Sequence, residues 1–371
     1  MNTIPILSDL HIRITSNCNF NCQHCYAADW LNEKYQLSIS EIKRVVDQAI
    51  ELGCRKVTFS GGEPILAQDI NKAIAYCLEK KLKVAIETNG LFVDKIITGL
   101  GEENVRKVFF AISYDGKKMR DEKFVQLVKD NIIKVANLGC EIKIQSAITK
   151  VNVDELDDIF QFSKKNGIKN RCFLIHSLNG NGKNIPLFEA EEWLKIIKKV
   201  NENYSNVMIE LPDVFPVRKK KKCGWGVHRC EIMPNGDVTS CAPITFNNRE
   251  FIAGNIKTEM LKDIWESKHF TEIRELKQSD FEQPCSKCVY WENCLGSCRS
   301  LALSIGKKLL SPHPFCRVLY DSIKNNKIDK NLLLDAELVD IWIREIENPN
   351  YVAMGITYGD LVKKQHLEEN N

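Results

Sequence analysis

Three cysteines stand at C-x3-C-x2-C in the stretch CNFNCQHCY, as Cys18, Cys22 and Cys25, with no fourth nearby. A structural zinc site or an electron-transfer iron–sulfur cluster takes four protein ligands. The spacing lets three thiolates reach three corners of one iron–sulfur cube and leaves the fourth iron open to a small molecule. A zinc loop with a distant fourth ligand is the other reading of the same residues. Further signals follow at intervals: FSGGEP (59–64), ETNG (87–90) and ISYDG (112–116). Gly61 and Gly62 allow close backbone approach to a ligand, and Glu63 can accept hydrogen bonds from an ammonium group.

A second set lies downstream. Cys285, Cys288, Cys294 and Cys298 spell C-x2-C-x5-C-x3-C, Cys223 and Cys241 fit C-x12-G-x4-C through Gly236, and Cys316 stands apart. Cys230 is an eighth, which makes the count of two tetrads. A pair of zinc ribbons explains such pairs as well as iron–sulfur sites do.

These residues need elements to hold them. Strands are predicted at 10–15, 56–60, 83–88, 108–113, 142–148 and 172–178, and helices at about 40–52, 69–80, 122–138 and 153–165. Ser38 and Glu41 have capping-box spacing ahead of the first helix. The alternation predicts an α/β chain with a parallel sheet, six strands forming a partial (β/α)6 TIM-like barrel whose chemistry sits at the carboxyl ends of the strands. A helix near 188–203 closes this part. Residues 205–316 hold eight of the fifteen cysteines with little periodicity, so metal rather than an apolar core is expected to hold them. From 317 a helical tail is expected, amphipathic over 330–348, with a frayed end at KKQHLEENN. The domains expected are 1–204, 205–316 and 317–371.

Length and composition bound the rest. The chain has 371 residues, 44% hydrophobic, with a net charge of +3, which suggests neither nucleic acid nor membrane as partner. There is no spanning run and no signal peptide in MNTIPILSDLHIRIT, and clustered cysteines in such a chain point to metal in a cytoplasmic protein.

C-x3-C-x2-C followed by GGEP after the second strand resembles the radical S-adenosylmethionine (SAM) superfamily. The resemblance implies that Cys18, Cys22 and Cys25 hold a [4Fe-4S] cluster and that SAM chelates its open iron. A one-electron cleavage then yields a 5′-deoxyadenosyl radical that abstracts a substrate hydrogen. By motif, Gly61, Gly62 and Glu63 would meet the methionine end of SAM and His24 would lie near its adenine. Asn89, Ser113 and Ser146 would serve the ribose and carboxylate. The later cysteines resemble a SPASM domain. By likeness to sulfatase-maturating enzymes, one auxiliary cluster takes Cys223, Cys230, Cys241 and Cys298, and the other Cys285, Cys288, Cys294 and Cys316. Three [4Fe-4S] clusters are therefore expected.

Cys54, Cys77, Cys140 and Cys172 are read as core residues, with hydrogen-atom donation as the functional alternative. The aspartate base that follows the cysteine equivalent to Cys241 in sulfatase-maturating relatives is here Ala242, and Asp237 is not a secure replacement. Asp115 is the base candidate, against a turn-forming role before Gly116. RKKKK (218–222) is a solvated run or an attractor for an acidic substrate. The resemblance implies an oxidative peptide crosslink. The short lead-in before the first strand implies either a separate leader-binding protein or no peptide substrate, and the reductant would be a flavodoxin or ferredoxin. A tetrapyrrole side chain or another small molecule, such as a quinone cofactor precursor, is the alternative substrate. An iron–sulfur electron carrier is the non-enzyme alternative, and it would need neither GGEP nor an open cluster.

Overall fold

Apolar alternation in the first half of the chain folds as the expected β/α series. A computed structural model describes residues 5–174, 176–214, 223–246 and 248–370. β1 (Asp9–Thr15), β2 (Lys56–Gly61), β3 (Lys83–Thr88), β4 (Val108–Ser113), β5 (Ile142–Ala147) and β6 (Lys169–Phe173) pair in sequence, all parallel. The connecting helices are α1 (Ile39–Glu51), α2 (Ile70–Glu79), α3 (Val93–Val105), α4 (Glu122–Asn137) and α5 (Leu156–Lys165), followed by α6 (Ala190–Asn203). Outward-facing strand residues such as Leu10, Phe59 and Phe110 form one core with helix residues such as Val46, Ile74 and Ile159. The Ser38–Glu41 capping box closes the start of α1. Cys54, Cys77, Cys140 and Cys172 are all buried in this core.

The expected strand at 172–178 is displaced. β6 instead begins at the polar Lys169, and Asn170 is buried because its side chain donates to Ser146 Oγ at 3.0 Å. Sequence reading follows apolar runs, and here the hydrogen-bonded polar residues make the strand. α3 was missed because ITGLGEENV carries two glycines; the helix is kinked at Gly101, whose φ is +73°.

The sheet does not stop at six strands. β7 (Val207–Ile209) adds to β6, while β8 (Arg229–Ile232) pairs parallel with β1, putting Cys230 opposite Leu10. β9 (Asp237–Thr239) and β10 (Ile252–Asn255) follow antiparallel, giving the order β10-β9-β8-β1-β2-β3-β4-β5-β6-β7. The cysteine-rich segment is thus tied to the partial barrel by a continuous ladder, through strands too short for their alternation to register.

Short helices α7 (Ala242–Thr245), α8 (Leu261–Trp265), α9 (Lys268–Glu275) and α10 (Trp291–Cys294) lead into α11 (Arg299–Gly306) and α12 (Pro314–Lys324). A second core gathers Trp225, Phe281, Trp291 and Tyr358. In the tail, α13 (Ala336–Glu347) is shorter than expected, and α14 (Tyr358–Asn370) is helical where fraying was expected. Tyr358 and Leu361 are buried, which anchors α14 on the second core. The RKKKK run lies outside the described residues. No helix among the described residues is long and apolar enough to cross a membrane.

Candidate active site

The loop after β1 carries Cys18, Cys22 and Cys25, and two neighbouring loops hold it. Gly62 N–H donates to Thr15 O at 2.8 Å and Glu63 N–H to Asn17 O at 2.8 Å. A Cβ on Gly62 would stand 2.4 Å from Asn17 O, so only glycine lets the GGEP backbone lie against the cysteine loop. From the other side, the turn at Gly180–Asn184 closes in. Asn181 N–H donates to Cys25 O at 2.9 Å and its side chain to Cys22 O at 2.9 Å. A Cβ on Gly180 would meet Cys25 O at 2.4 Å. Sequence reading did not single out this clamp; the NGNG run was its only signal.

The three thiols lie close enough to interact electrostatically, and burial raises the pKa of each, Cys22 to about 12. Backbone N–H groups of Phe20 and Asn19 face the Cys18 sulfur, and that of Ala27 faces Cys25. Such a set fits an iron–sulfur group, because bound metal supplies the positive charge that converts buried thiols to thiolates.

Beside it, Glu63 is buried and its carboxylate joins two strand ends. Oε1 accepts from Thr88 Oγ1 (2.7 Å) and Ile65 N–H (3.1 Å), and Oε2 from Asn89 N–H (2.8 Å). Asn89 in turn donates through Nδ2 to Asn19 Oδ1 in the cysteine loop, at 2.9 Å. Glu63 and Asn89 therefore build the mouth as well as facing it.

Asp115 does not stand free as a base. Its Oδ1 accepts from Ala147 N–H at 2.7 Å and its Oδ2 from Arg120 at 3.3 Å, with His24 Nε2 3.8 Å away. Burial holds the His24 imidazole toward its neutral form. Arg120, absent from the sequence reading, also donates to Asn89 O at 3.0 Å and lies over the Phe20 ring at 5.4 Å. Asp237 accepts from Asn235 and Asn255 and so builds a turn.

Ser113 is half-buried at the end of β4. Ser146 does not face the mouth: strand alternation turns it outward, where its hydroxyl donates to Tyr114 O at 2.7 Å and accepts from Asn170. The inward residues of β5 are Lys143, Gln145 and Ala147.

The later cysteines form two groups of unlike composition. Cys285, Cys288, Cys294 and Cys316 line one cavity with Trp291, His313 and Trp342. Trp342 Nε1–H from the tail helix α13 donates to Cys288 Sγ at 3.1 Å. This set fits a closed four-cysteine cluster. In the other group Cys223, Cys241 and Cys298 interact with one another. Cys230 does not join them. It is fully buried on β8 in the barrel core, with Cys54 as its strongest charge neighbour. Arg229 and Glu231 point to the opposite face, and the Glu231 carboxylate acts on the Cys241 thiol, adding to the upward push of burial. Of the four cysteines expected to share this site, the structure brings three together, because strand alternation turns Cys230 away from the face that carries Glu231. Tyr358 of α14 is buried between the groups, beside Cys223, Cys294 and Cys298.

A buried polar bridge joins the first cysteine loop to this triad. Arg13 Nη2 donates to Tyr26 Oη at 2.9 Å, and Arg13 Nε to Glu231 Oε2 at 3.3 Å. Ala242 N–H, next to Cys241, donates to the same oxygen at 3.2 Å. Charged residues inside the apolar strands LHIRIT and RCEI were the overlooked signal.

A parallel β/α sheet with an open cysteine triad at its mouth and cysteine-lined sites beyond it defines an iron–sulfur enzyme of the radical type. Residues 12–181 match the radical SAM superfamily and residues 223–289 match SPASM, an iron–sulfur cluster-binding domain. The chain belongs to the radical SAM superfamily and carries a SPASM domain. When bound, the cluster and SAM supply one-electron cleavage chemistry at the mouth. The chain is 25% identical over 323 residues to the subtilosin biosynthesis protein AlbA of Bacillus subtilis, covering 82% of this chain and 70% of AlbA. It is 24% identical to the AdoMet-dependent heme synthase of Nitratidesulfovibrio vulgaris, over 82% of this chain and 90% of that one. It is likewise 24% identical to the mycofactocin maturase MftC of Mycolicibacterium smegmatis, over 82% and 81%. In fold it is similar to Streptococcus suis SuiB bound to its precursor peptide SuiA, with TM-score 0.67, 19% identity, and coverage of 85% of this chain and 76% of that one. It is also similar to anSMEcpe with AdoMet and a peptide bound, with TM-score 0.62, 19% identity, and coverage of 92% and 99%.

Proposed function

We propose that this enzyme uses SAM to abstract a hydrogen from a ribosomally made peptide and completes an oxidative crosslink. Three [4Fe-4S] clusters would serve it: one on Cys18, Cys22 and Cys25, one on Cys223, Cys241 and Cys298, and one on Cys285, Cys288, Cys294 and Cys316. The carrying observation is the pair of cysteine groups beyond the mouth, the nearer of them, with Cys241, bridged to it through Arg13 and Glu231. A substrate radical that loses a second electron needs an acceptor close to the first site. A flavodoxin or ferredoxin would reduce the first cluster, and a separate leader-binding protein would present the peptide. The likeness to AlbA, MftC and peptide-bound SuiB supports a peptide substrate.

A tetrapyrrole side chain is the second reading. The observation behind it is that the matched region spans 90% of the heme synthase against 70% of AlbA. The test is mass spectrometry of co-encoded peptides and of carboxylated porphyrins after turnover by the reduced enzyme. A peptide losing two or more hydrogens supports the first reading. Loss of carboxyl groups from a porphyrin, with every peptide unchanged, refutes it. Anaerobic reconstitution should give about twelve irons per chain if three four-iron clusters are bound.

A further inference from the structure

The concave face of the sheet holds an amine with no hydrogen-bond or ion-pair partner among the described residues. Lys143 is the second residue of β5 and points inward with Gln145, on the face that also carries Phe109 and Glu87. It is half-buried, and its Nζ lies over the Phe109 ring at 5.2 Å. It makes no hydrogen bond or ion pair among the described residues, whereas Arg13, Arg171 and Arg229 of this face do. Arg13 is bound to Glu231 and Tyr26, Arg171 to Glu210 at 2.7 Å, and Arg229 to His11 and Glu231. The carboxylates that otherwise offer themselves as bases are engaged: Asp115 by Arg120 and Ala147, Asp237 within its turn.

We propose that Lys143 is a proton acceptor of the concave face, taking the proton of a substrate heteroatom when that atom forms its new bond. This rests on the oxidative reading above. In the step, the amine lone pair forms an N–H bond to the incoming proton. The substrate X–H bond breaks, its electron pair stays on X and becomes the new bond to the substrate radical carbon, the one surplus electron would pass to the cysteine-bound acceptor of the oxidative reading, and the amine becomes an ammonium. X is the nitrogen, oxygen or sulfur of a substrate side chain or amide. The surroundings favour the neutral amine: burial and the Arg171 guanidinium push Lys143 down to about 8, with Lys56 adding to this and Glu87 and Glu210 opposing it. An amine in that range is a suitable general base near neutral pH.

Trace acetylation of the iron-loaded enzyme across pH 6 to 11, read by mass spectrometry of the Lys143 peptide, measures the titration without any substrate. Half-reaction near pH 8 is expected; an ordinary lysine titration near 10.4 overturns the proposal. The turnover arm uses Lys143→Arg and Lys143→Met. Arginine keeps the positive charge but cannot deprotonate, so a structural or electrostatic role survives it and a base role does not. Both variants should cleave SAM and lose on the order of a hundredfold in product formation. The wild-type rise in kcat with pH through about 8 should vanish with them. Wild-type kcat and pH profile in Lys143→Arg overturn the proposal. If wild type changes neither the peptides nor the porphyrins, the substrate reading fails, and the titration alone then stands or falls.

Discussion

Glu231→Gln tests the bridge between the barrel and the cysteine-rich segment. The side chain is 7% exposed, and its carboxylate faces Arg13 Nε at 3.3 Å, Arg229 Nη2 at 3.5 Å and His11 Nδ1 at 3.9 Å. Glutamine keeps the shape and can still accept from Ala242 N–H, but it strips the buried Arg13 guanidinium, and the partly exposed Arg229 beside it, of their shared counter-charge. Breaking a buried pair by removing one partner costs about 3–5 kcal/mol. Arg13 retains Tyr26, and Glu87 still acts on it, so the low end, about 3 kcal/mol, applies. Unfolding entropy near 2.1 cal/mol/K per residue over 371 residues makes that a fall in Tm of roughly 4 °C. Calorimetry of the iron-loaded protein measures it. The volume-matched pair Arg13→Met with Glu231→Leu should be less damaging than Glu231→Gln alone, because the buried Arg13 charge goes with its counter-charge while Arg229, 30% exposed, keeps contact with water. A shift below about 1 °C in the single variant, or additive losses in the pair, would refute the argument.

Cys230→Ser should keep the full iron content and all cluster signals, whereas Cys241→Ala should lose about a third of the iron; iron assay and electron paramagnetic resonance decide between a core and a ligand role for Cys230. Trp342→Phe removes the N–H···S bond to Cys288 and should lower the reduction potential of the cluster held there, read by redox titration, since donors to cluster sulfur favour the reduced form. His11 is buried and held neutral down to about pH 3 by burial and Arg229. The unfolded chain binds this proton below pH 6.5 and the folded chain does not, so stability falls as pH drops from 6.5 towards 3. The thermal midpoint of His11→Gln should decline less over that window than that of wild type.

The sequence by itself determined the cluster chemistry, because ligand type and spacing are local. Cys18, Cys22 and Cys25 fall on one loop after β1, and Cys285, Cys288 and Cys294 arrive at one cavity within a few turns of chain. The early strands were also legible, because parallel strands buried by helices on one face read as apolar runs. The tertiary structure decided what depends on which face a residue turns. Ser146 and Cys230 have the right residue types near the right positions, but strand alternation directs them into the core, and only pairing with β6 and β1 fixes that register. Arg120 reaches Asp115 and Asn89 because the loop after β4 folds back over the cysteine loop. Glu231 meets Arg13 because β8, separated from β1 by more than 200 residues, adds to its free edge. Contacts so distant along the chain leave no spacing to read, and a charge that will be buried and paired looks, in sequence, like one left in water.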